Sequence, residues 1–263
     1  MTGFSPDWLA LRAPFDGRAR DKALAQKFAA ALPRSCLIVD LGAGTGANVL
    51  ALAPLSGPEA RFRLVDNDRA LLEIARARLT GSLPFEIVPD DLTRDVEGAI
   101  AGADAITASA LMDLVSAPWF DALAALAGSR RLPLLFTLTV DGRHQLIPAD
   151  GGDGRVFAAF AQDQRRDKGF GPALGLDAPR HMHDRLTTLG ARVSLADSDW
   201  KMGMGSDGRE LMAAFVAGVA EAAVRAAPAD AAMIASWLER RQKQIADGSL
   251  SLAVGHQDLL ALW

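Results

Sequence analysis

The sequence predicts an α/β protein built on a mostly parallel sheet with helices on both faces. Short apolar runs typical of buried strands alternate with segments of helical periodicity from residue 37 to about residue 140. Such alternation is typical of strand–helix–strand units, whose strands run parallel. Hydrophobic residues make up 50% of the 263-residue chain, which is enough to bury a sizeable core. We therefore expect one elaborated α/β domain.

The first five strands follow one another at intervals that leave room for helices. In order, they are LIVDL (37–41), RFRLVD (61–66), FEIVP (85–89), ADAITAS (103–109) and LPLLFTLTV (132–140). Between the second and third, RALLEIARARL at 69–79 repeats apolar residues at helical spacing. After the fourth strand, Pro118 is suited to begin a helix. In such sheets, ligands bind beyond the carboxyl ends of the strands, where the strand order reverses.

Beyond residue 140 the regular alternation is interrupted. Residues 141–177 are rich in glycine and in mixed charges, and we expect them to form a packed cover over a ligand. The remaining predicted elements are, in order, a helix that ends at Gly190, a strand in ARVSLADSDWKM, Ala-rich helices at 208–226 and 229–246, and a strand at 256–262. The pattern therefore predicts a seven-stranded sheet, with helical insertions before and after the sixth strand.

This organisation predicts a single domain. Its predicted parts are an N-terminal helical cap at about 1–34, a cofactor-binding core at about 35–140, the insertion 141–177, a helical insertion at about 204–250 and a last strand at about 254–262.

Composition limits the class of function. A net charge of −4 and a pI of about 5.6 give no electrostatic case for nucleic acid, although a local basic patch remains open. The single cysteine, Cys36, is expected to be a small core residue, and it allows neither an internal disulfide nor a cysteine-based metal site. No secretory signal is expected at the start, and the longest apolar run, 211–220, is too short to cross a bilayer. We expect a cytoplasmic protein.

A glycine-rich turn after the first strand predicts a nucleoside cofactor. Its glycines, together with Ala47, also satisfy a dinucleotide-binding pattern, so the turn by itself does not choose the cofactor. Asp66 closes the second strand 24 positions after Gly42, where a carboxylate can accept both ribose hydroxyls. Asp40, at the end of the first strand, suits a cationic ammonium and would repel a pyrophosphate. Together, these carboxylates favour an adenosine cofactor with a cationic tail.

These segments resemble the motifs of the class I S-adenosylmethionine-dependent methyltransferases. VDLGAGTG resembles their first motif, LVDND the acidic end of their second strand, PDDL the stretch after their third strand, and TASALMDLV the stretch after their fourth. The resemblance covers about 35–140 and the final strands near 191–203 and 254–262. It implies a Rossmann-like, doubly wound fold, S-adenosyl-L-methionine as cofactor and S-adenosyl-L-homocysteine as product.

By position, the resemblance also implies cofactor contacts along the strand ends. Asp40 would orient the methionine ammonium. Asp66 would hold the ribose hydroxyls, with Asn67 beside it near the adenine. The glycines expected to pass under the methionine and ribose are Gly42, Gly44 and Gly46.

Further cofactor contacts are implied nearer the adenine and the methionine. Asp91 would accept a hydrogen bond from the adenine amino group with Leu92 nearby, although Asp90 competes for that role. Ser109 would lie near the methionine end. In the N-terminal amphipathic segment, Arg12 or Arg20 could pair with the methionine carboxylate, and Arg20 is the choice made here.

Candidate catalytic residues lie after the fourth and fifth strands. Asp113 stands where many members of the resembled family carry a second histidine, and it could act as a base or anchor a substrate cation. His144 follows the fifth strand and could accept a proton. His181 and His183, two apart near the start of a helix, would point in different directions, so no metal site is predicted.

The leading hypothesis is therefore an enzyme that transfers a methyl group to a small molecule by in-line displacement. Three alternatives remain: a methyltransferase acting on tRNA, rRNA or protein, an NAD-dependent oxidoreductase, which Asp40 fits poorly, and a non-catalytic cofactor-binding subunit. RNA is possible but not favoured, and no membrane partner is expected. The acceptor, its reacting atom, the need for a base and the oligomeric state stay open.

Overall fold

One sheet of eight strands forms the centre of the computed structural model, which describes residues 5–203 and 208–263. The strands are β1 (Cys36–Leu41), β2 (Ala60–Asp66), β3 (Phe85–Pro89), β4 (Ala105–Ser109), β5 (Leu134–Ile147), β6 (Arg192–Asp197), β7 (Trp200–Met202) and β8 (Ser251–Leu262). Helices pack on both faces, which confirms the predicted Rossmann-like, doubly wound α/β class.

Several of the helices begin at capping side chains. The helices are α1 (Pro6–Ala19), α2 (Lys22–Ala30), α3 (Ala47–Leu52), α4 (Arg69–Leu79), α5 (Val96–Ala99), α6 (Ala117–Arg130), α7 (Asp153–Gln164), α8 (Ala178–Thr188), α9 (Arg209–Ala226) and α10 (Ala231–Ala246). The side chains of Ser5, Asp21, Asp68 and Ser116 accept hydrogen bonds from first-turn N–H groups, which otherwise lack intrahelical partners. None of the helices in the described ranges is long and apolar enough to cross a membrane.

The strand order places a crevice at one edge of the sheet. The order is β3-β2-β1-β4-β5-β8-β6, and β7 pairs only with β8. Strands β1 to β5 are mutually parallel, whereas β8 runs antiparallel to its neighbours β5, β6 and β7. The chain leaves β1 toward β2 on one side and returns to β4 on the other, so the crevice opens beyond the carboxyl ends of β1 and β4.

Eight strands are present where seven were predicted, because ARVSLADSDWKM forms two strands. The strand is interrupted after β6, where the Ser198 backbone N–H donates to the His256 carbonyl 2.9 Å away. The chain then pairs again with β8 as β7. Helices α7 and α8 precede β6, and α9 and α10 follow it, as predicted for the insertions.

Alternate residues of the buried strands face opposite sides of the sheet, as strand geometry requires. In β1, Leu37, Val39 and Leu41 pack in the cluster that contains α6 and α8, whereas Ile38 packs with α2, α3 and α4. All six residues of β1 are buried. Burial on both faces explains why this strand reads as a continuous apolar run rather than as an alternating one.

A separate hydrophobic cluster, here called the C-terminal cluster, joins α1, α7, α9 and α10 to β7 and the ends of β5 and β8. It contains the apolar residues of β5's end and of α7, from the segment that was expected to cover a ligand. That expectation was wrong for residues 141–164, because 141–147 prolong β5 and α7 packs against α9.

Candidate cofactor site

A cavity of about 620 Å³ opens at the carboxyl ends of β1, β2, β3 and β4 and is closed on one side by α1. Its size falls in the range of small-molecule sites. The residues predicted from sequence that line it are Arg20, Gly42, Gly44, Asp66, Asn67, Asp91, Leu92 and Ser109. These side chains come from separate parts of the chain, and the parallel strands bring them to one edge.

The turn between β1 and α3 depends on glycine for two different reasons. Gly42, Gly44 and Gly46 have φ angles of +64°, +50° and +73°, which other residues rarely adopt. Gly42 and Gly44 face the cavity. Gly46 lies outside its lining, and a Cβ there would come within 3.2 Å of the Ala75 and Leu79 side chains. The structure thus places Gly46 at the packing contact between the turn and α4.

Asp66 ties the end of β2 to the glycine turn. One carboxylate oxygen accepts the Gly44 N–H at 2.8 Å, and the other accepts the Asp68 N–H at 2.9 Å. Burial raises the pKa of Asp66, while these N–H donors act in the opposite direction. A carboxylate has about four acceptor positions, so two remain for hydroxyl groups in the cavity.

Asp40 lies one side chain behind the cavity rather than in its lining. It is fully buried, and its Oδ1 accepts from Asn48 Nδ2 at 2.7 Å. Its Oδ2 has no hydrogen-bond partner, and burial raises the pKa of Asp40 to about 7. An unpaired buried carboxylate oxygen costs stability, which makes it a candidate for ligand-dependent chemistry.

Asn48 connects Asp40 to Arg20, and the sequence analysis missed it. Asn48 donates to Thr107 at 3.0 Å as well as to Asp40, and its Oδ1 accepts from Arg20 at 2.6 Å. The available signal was a single polar side chain in the otherwise apolar helix ANVLAL.

Arg20 presents a fixed guanidinium to the cavity. Its Nη1 donates to Asn48 and, at 2.6 Å, to Thr137 Oγ1, and its Nη2 donates to Ser109 Oγ at 2.9 Å. These partners are neutral oxygens. The nearby carboxylates of Asp16, Asp258 and Asp40 act on Arg20 only through space, and burial lowers its pKa. The guanidinium is therefore suited to an anionic group that enters the cavity.

Two carboxylates compete at the opposite end of the cavity, as the sequence left open. Asp91 accepts from the Thr93 hydroxyl at 2.7 Å and from its N–H at 3.0 Å, and these bonds lower the pKa of Asp91. Asp90 accepts the Asp91 N–H at 2.8 Å. Both line the cavity beside Leu92, whose carbonyl accepts from Trp119 Nε1 at 2.7 Å. Either could meet an adenine amino group.

Asp113 is buried beside the cavity, on the turn that follows β4. Its Oδ1 has no hydrogen-bond partner, and burial raises the pKa of Asp113 to about 6, opposed by the charges of Arg12 and Lys168. The segment before α8 is fastened to the same turn, because the Gly175 N–H donates to the Asp113 carbonyl at 2.9 Å. Leu111 and Leu114 of this turn line the cavity, whereas Asp113 lies outside its lining.

His144 is not brought to the cavity, contrary to its prediction as a catalytic residue that could accept a proton. Since β5 continues through this residue, His144 pairs with Val254 of β8 and faces the C-terminal cluster. Its ring stacks on Phe157 at a centroid distance of 4.3 Å, and burial lowers its pKa. Of the phenylalanines in the segment 141–177, Phe170 lines the cavity, whereas Phe157 and Phe160 pack in the C-terminal cluster.

The remaining histidines make local contacts. His181 Nε2 lies 2.9 Å from an Asp121 carboxylate oxygen, and His183 Nδ1 lies 3.1 Å from Asp184. Within residues 5–203 and 208–263, no group of three or more His, Cys, Asp or Glu side chains could hold a metal ion.

Comparison with known proteins finds similarity to methyltransferases in the part of the chain that forms the cavity. Residues 38–131 match the family described as Methyltransferase domain. Over 73 residues the chain is 41% identical to the release factor glutamine methyltransferase of Mycolicibacterium smegmatis. That alignment covers 26% of this chain and 26% of the relative, so the chain matches about a quarter of the relative's length.

Solved structures extend the similarity to nearly the whole chain at the level of fold. The cyclopropane synthase MmaA2 of Mycobacterium tuberculosis aligns with a TM-score of 0.52 at 12% identity, over 98% of this chain and 94% of the synthase. A putative methyltransferase of Bacillus halodurans aligns over 92% of this chain and 96% of its own, with 12% identity and a TM-score of 0.49. The first of these similarities shows a shared fold.

Proposed function

We propose that this chain, whose residues 38–131 match the family described as Methyltransferase domain, transfers the methyl group of S-adenosylmethionine to a small-molecule acceptor. One observation carries the proposal. A single cavity holds a carboxylate suited to ribose, Asp66, and a guanidinium suited to a carboxylate, Arg20. An adenosine joined to an amino acid needs both.

The cofactor would lie along the ends of the parallel strands. Asp66 would accept the ribose hydroxyls, and Asp91 or Asp90 would accept from the adenine amino group, with Asn67 and Leu92 nearby. Arg20 would bind the methionine carboxylate, with Ser109 holding its Nη2. The ammonium would lie toward Asn48 and the unpaired oxygen of Asp40.

When bound, S-adenosylmethionine supplies an activated methyl carbon, whose bond to sulfur breaks as the acceptor's lone pair forms the new bond. The chain's own task is to align the acceptor and to exclude water. Helix α1 serves this task because it is fastened over the cavity. Arg12 and Asp16 form a buried ion pair at 2.8 Å, and Trp200 Nε1 of β7 donates to Asp16 at 2.9 Å.

The walls and charges of the cavity favour a small acceptor. The apolar side chains that line it beside α1 and the turn after β4 are Leu9, Leu111, Leu114 and Phe170. The charge of Arg12 is balanced by Asp16. The other lining carboxylates are Asp66, Asp68, Asp90 and Asp91, against the two arginines Arg20 and Arg69. This excess of negative charge would repel the phosphates of RNA.

Asp113 is the proposed proton acceptor for acceptors that need one; because it lies just outside the cavity lining, the turn after β4 must move for its carboxyl group to reach the acceptor. A carboxyl group whose pKa is about 6 is mostly ionised at neutral pH and still basic enough to take a proton. Its unpaired Oδ1 leaves that position without a competing donor. We expect Asp113→Asn to slow methyl transfer while the affinity for S-adenosylhomocysteine stays within about twofold.

Two measurements test this function. Isothermal titration is expected to show binding of S-adenosylhomocysteine and no binding of NAD; the reverse result would favour an oxidoreductase. Methyl-labelled S-adenosylmethionine is then incubated with the protein and separate pools of small metabolites, tRNA, rRNA and proteins. Label is expected in the small-molecule pool. Label in a macromolecular pool would refute the proposed acceptor class, and cofactor binding without transfer to any pool would favour a non-catalytic subunit.

A further inference from the structure

Asp258 of β8 is a buried carboxylate outside the cavity. It is fully buried and yet accepts hydrogen bonds from two distant backbone N–H groups. Its Oδ2 accepts from Asp21 at 2.8 Å, and its Oδ1 accepts from Leu138 at 2.8 Å. Placing a carboxylate in the interior is costly, so these two bonds point to a requirement for it here.

The two residues that donate to Asp258 are the chain neighbours of Arg20 and Thr137, which are hydrogen-bonded to each other. Asp21 directly follows Arg20, and Leu138 directly follows Thr137, whose Oγ1 accepts from Arg20 at 2.6 Å. A single carboxylate therefore holds the backbone on both sides of the bond between Arg20 and Thr137.

The backbone at Leu138 has an unusual shape that needs such support. Its φ angle is +57°, which a non-glycine residue seldom adopts. The register between β5 and β8 shifts between Phe136 and Thr139, so the strand bulges opposite Asp258. Bulges of this kind occur beside functional sites, and this one lies next to Thr137.

We infer that Asp258 is a positioning residue, which fixes Arg20 for the amino-acid end of the cofactor. The inference rests on the proposed function. Asp258 also places a negative charge near Arg20, which supports the charged form of a buried guanidinium. Loss of the contacts made by Asp258 should therefore lower the affinity for ligands that carry the amino-acid group and leave unchanged the affinity for ligands that lack it. S-Adenosylhomocysteine and 5′-methylthioadenosine form such a pair, since the second lacks the amino acid.

Position 21 allows the contact with Asp258 to be broken without changing Asp258 itself. Asp21 has a φ of −75°, which proline accepts, and Arg20 has a ψ of 135°, which suits a residue before proline. Asp21→Pro and Asp21→Ala both lose the carboxylate that caps α2 through the Leu24 N–H. Only Asp21→Pro also replaces the N–H bonded to Asp258, and its Cδ pushes the Asp258 carboxylate away. Comparing the two variants therefore reports the loss of the contact between position 21 and Asp258.

Relative to Asp21→Ala, we expect Asp21→Pro to bind S-adenosylhomocysteine about tenfold more weakly and 5′-methylthioadenosine within about twofold. Asp258→Asn should show the same selectivity, because its amide turns a donor toward one of the two N–H groups. Asp104→Asn is the matched control. Asp104 accepts the Leu37 N–H at 2.8 Å, at the amino end of β1, and its loss should leave both affinities unchanged.

Arg20→Ala completes the test, because adding Asp21→Pro to it should weaken S-adenosylhomocysteine no further. If Asp21→Pro binds both ligands as Asp21→Ala does, or weakens both equally, Asp258 is not a positioning residue. The position-21 pair decides this even if Asp258→Asn does not fold. If the wild-type protein binds neither ligand, the proposed function itself is wrong.

Discussion

The cavity and the C-terminal cluster differ in how their carboxylates are paired. In the cluster, Asp153 accepts from Arg241 and Trp237, and Asp163, only 1% exposed, accepts from Arg166 and Arg225. Around the cavity, Asp40 and Asp113 each keep a buried oxygen without a partner. A paired carboxylate contributes to a defined packing, whereas an unpaired one costs stability. Among the described residues, the buried carboxylate oxygens without a partner thus lie around the cavity, whereas in the cluster the unpartnered buried atom is a donor, Arg241 Nε.

The largest expected effect lies in the cluster. Arg241 is fully buried and donates to Asp153, Gln244 and the Pro148 carbonyl. Breaking a buried ion pair leaves a carboxylate without its cation, so Arg241→Ala should lower the free energy of unfolding by about 3–5 kcal/mol. Urea denaturation measures this loss.

Arg240→Ala is the control for that variant, because Arg240 is half exposed and pairs with Asp150 at the surface. Its removal should lower the free energy of unfolding clearly less than Arg241→Ala does. Equal losses in the two variants would contradict the structural role of Arg241. A large change in the affinity of folded Arg241→Ala for S-adenosylhomocysteine would show that the cluster also contributes to binding at the cavity.

At the cavity, the main effect should fall on binding. Asp66→Ala removes two charge-assisted hydrogen bonds to the ribose, each contributing about 1.5–3 kcal/mol. We expect at least about a tenfold loss of affinity for S-adenosylhomocysteine by titration calorimetry. Asp68→Asn is the neighbouring control, since asparagine also caps α4, and its affinity should change by about threefold or less. Unchanged affinity in Asp66→Ala would mean that another group binds the ribose.

Asp40 should make both binding and stability depend on pH. Burial raises its pKa to about 7 from 3.8. The folded protein therefore holds a proton that the unfolded chain releases. The contribution of Asp40 to stability is complete below 3.8 and is lost as the pH rises through about 7. A cationic ligand favours the ionised form, so affinity for S-adenosylhomocysteine should rise over the same window.

Calorimetry at several pH values, in buffers of different ionisation enthalpy, checks this coupling. Binding near pH 7 should release a proton from the wild-type protein, and affinity should rise by up to about tenfold per pH unit below the pKa. Asp40→Asn should abolish this proton release and the corresponding rise of affinity with pH. An identical pH profile in the two proteins would show that Asp40 does not titrate with binding.

The smallest effect is expected for His144, which lies in the cluster although it was predicted to serve the cavity. His144→Phe keeps an aromatic ring against Phe157 and removes the titrating nitrogen atoms. Cofactor affinity and the rate of methyl transfer should both stay within about twofold of the wild-type values. A marked loss of the rate of methyl transfer with unchanged cofactor affinity would instead indicate that His144 takes part in catalysis.

The sequence by itself determined the core of the fold and the line of cofactor residues. Periodicity located β1 to β4, and turn chemistry located the glycines between β1 and α3. Asp66 followed from its place at the end of a strand, because the carboxyl ends of parallel strands meet at one edge. Each of these features depends on residues close together in the chain.

Tertiary structure decided what depends on partners far apart in the sequence. His144 faces the cluster because β5 continues beyond its predicted end and pairs with β8. Asn48 became visible only when Arg20, Asp40 and Thr107 were brought around it. The bond from the Asp21 N–H to Asp258 spans 237 positions. Local patterns set which segments form strands and helices, whereas packing of distant segments sets the partners of each buried polar group.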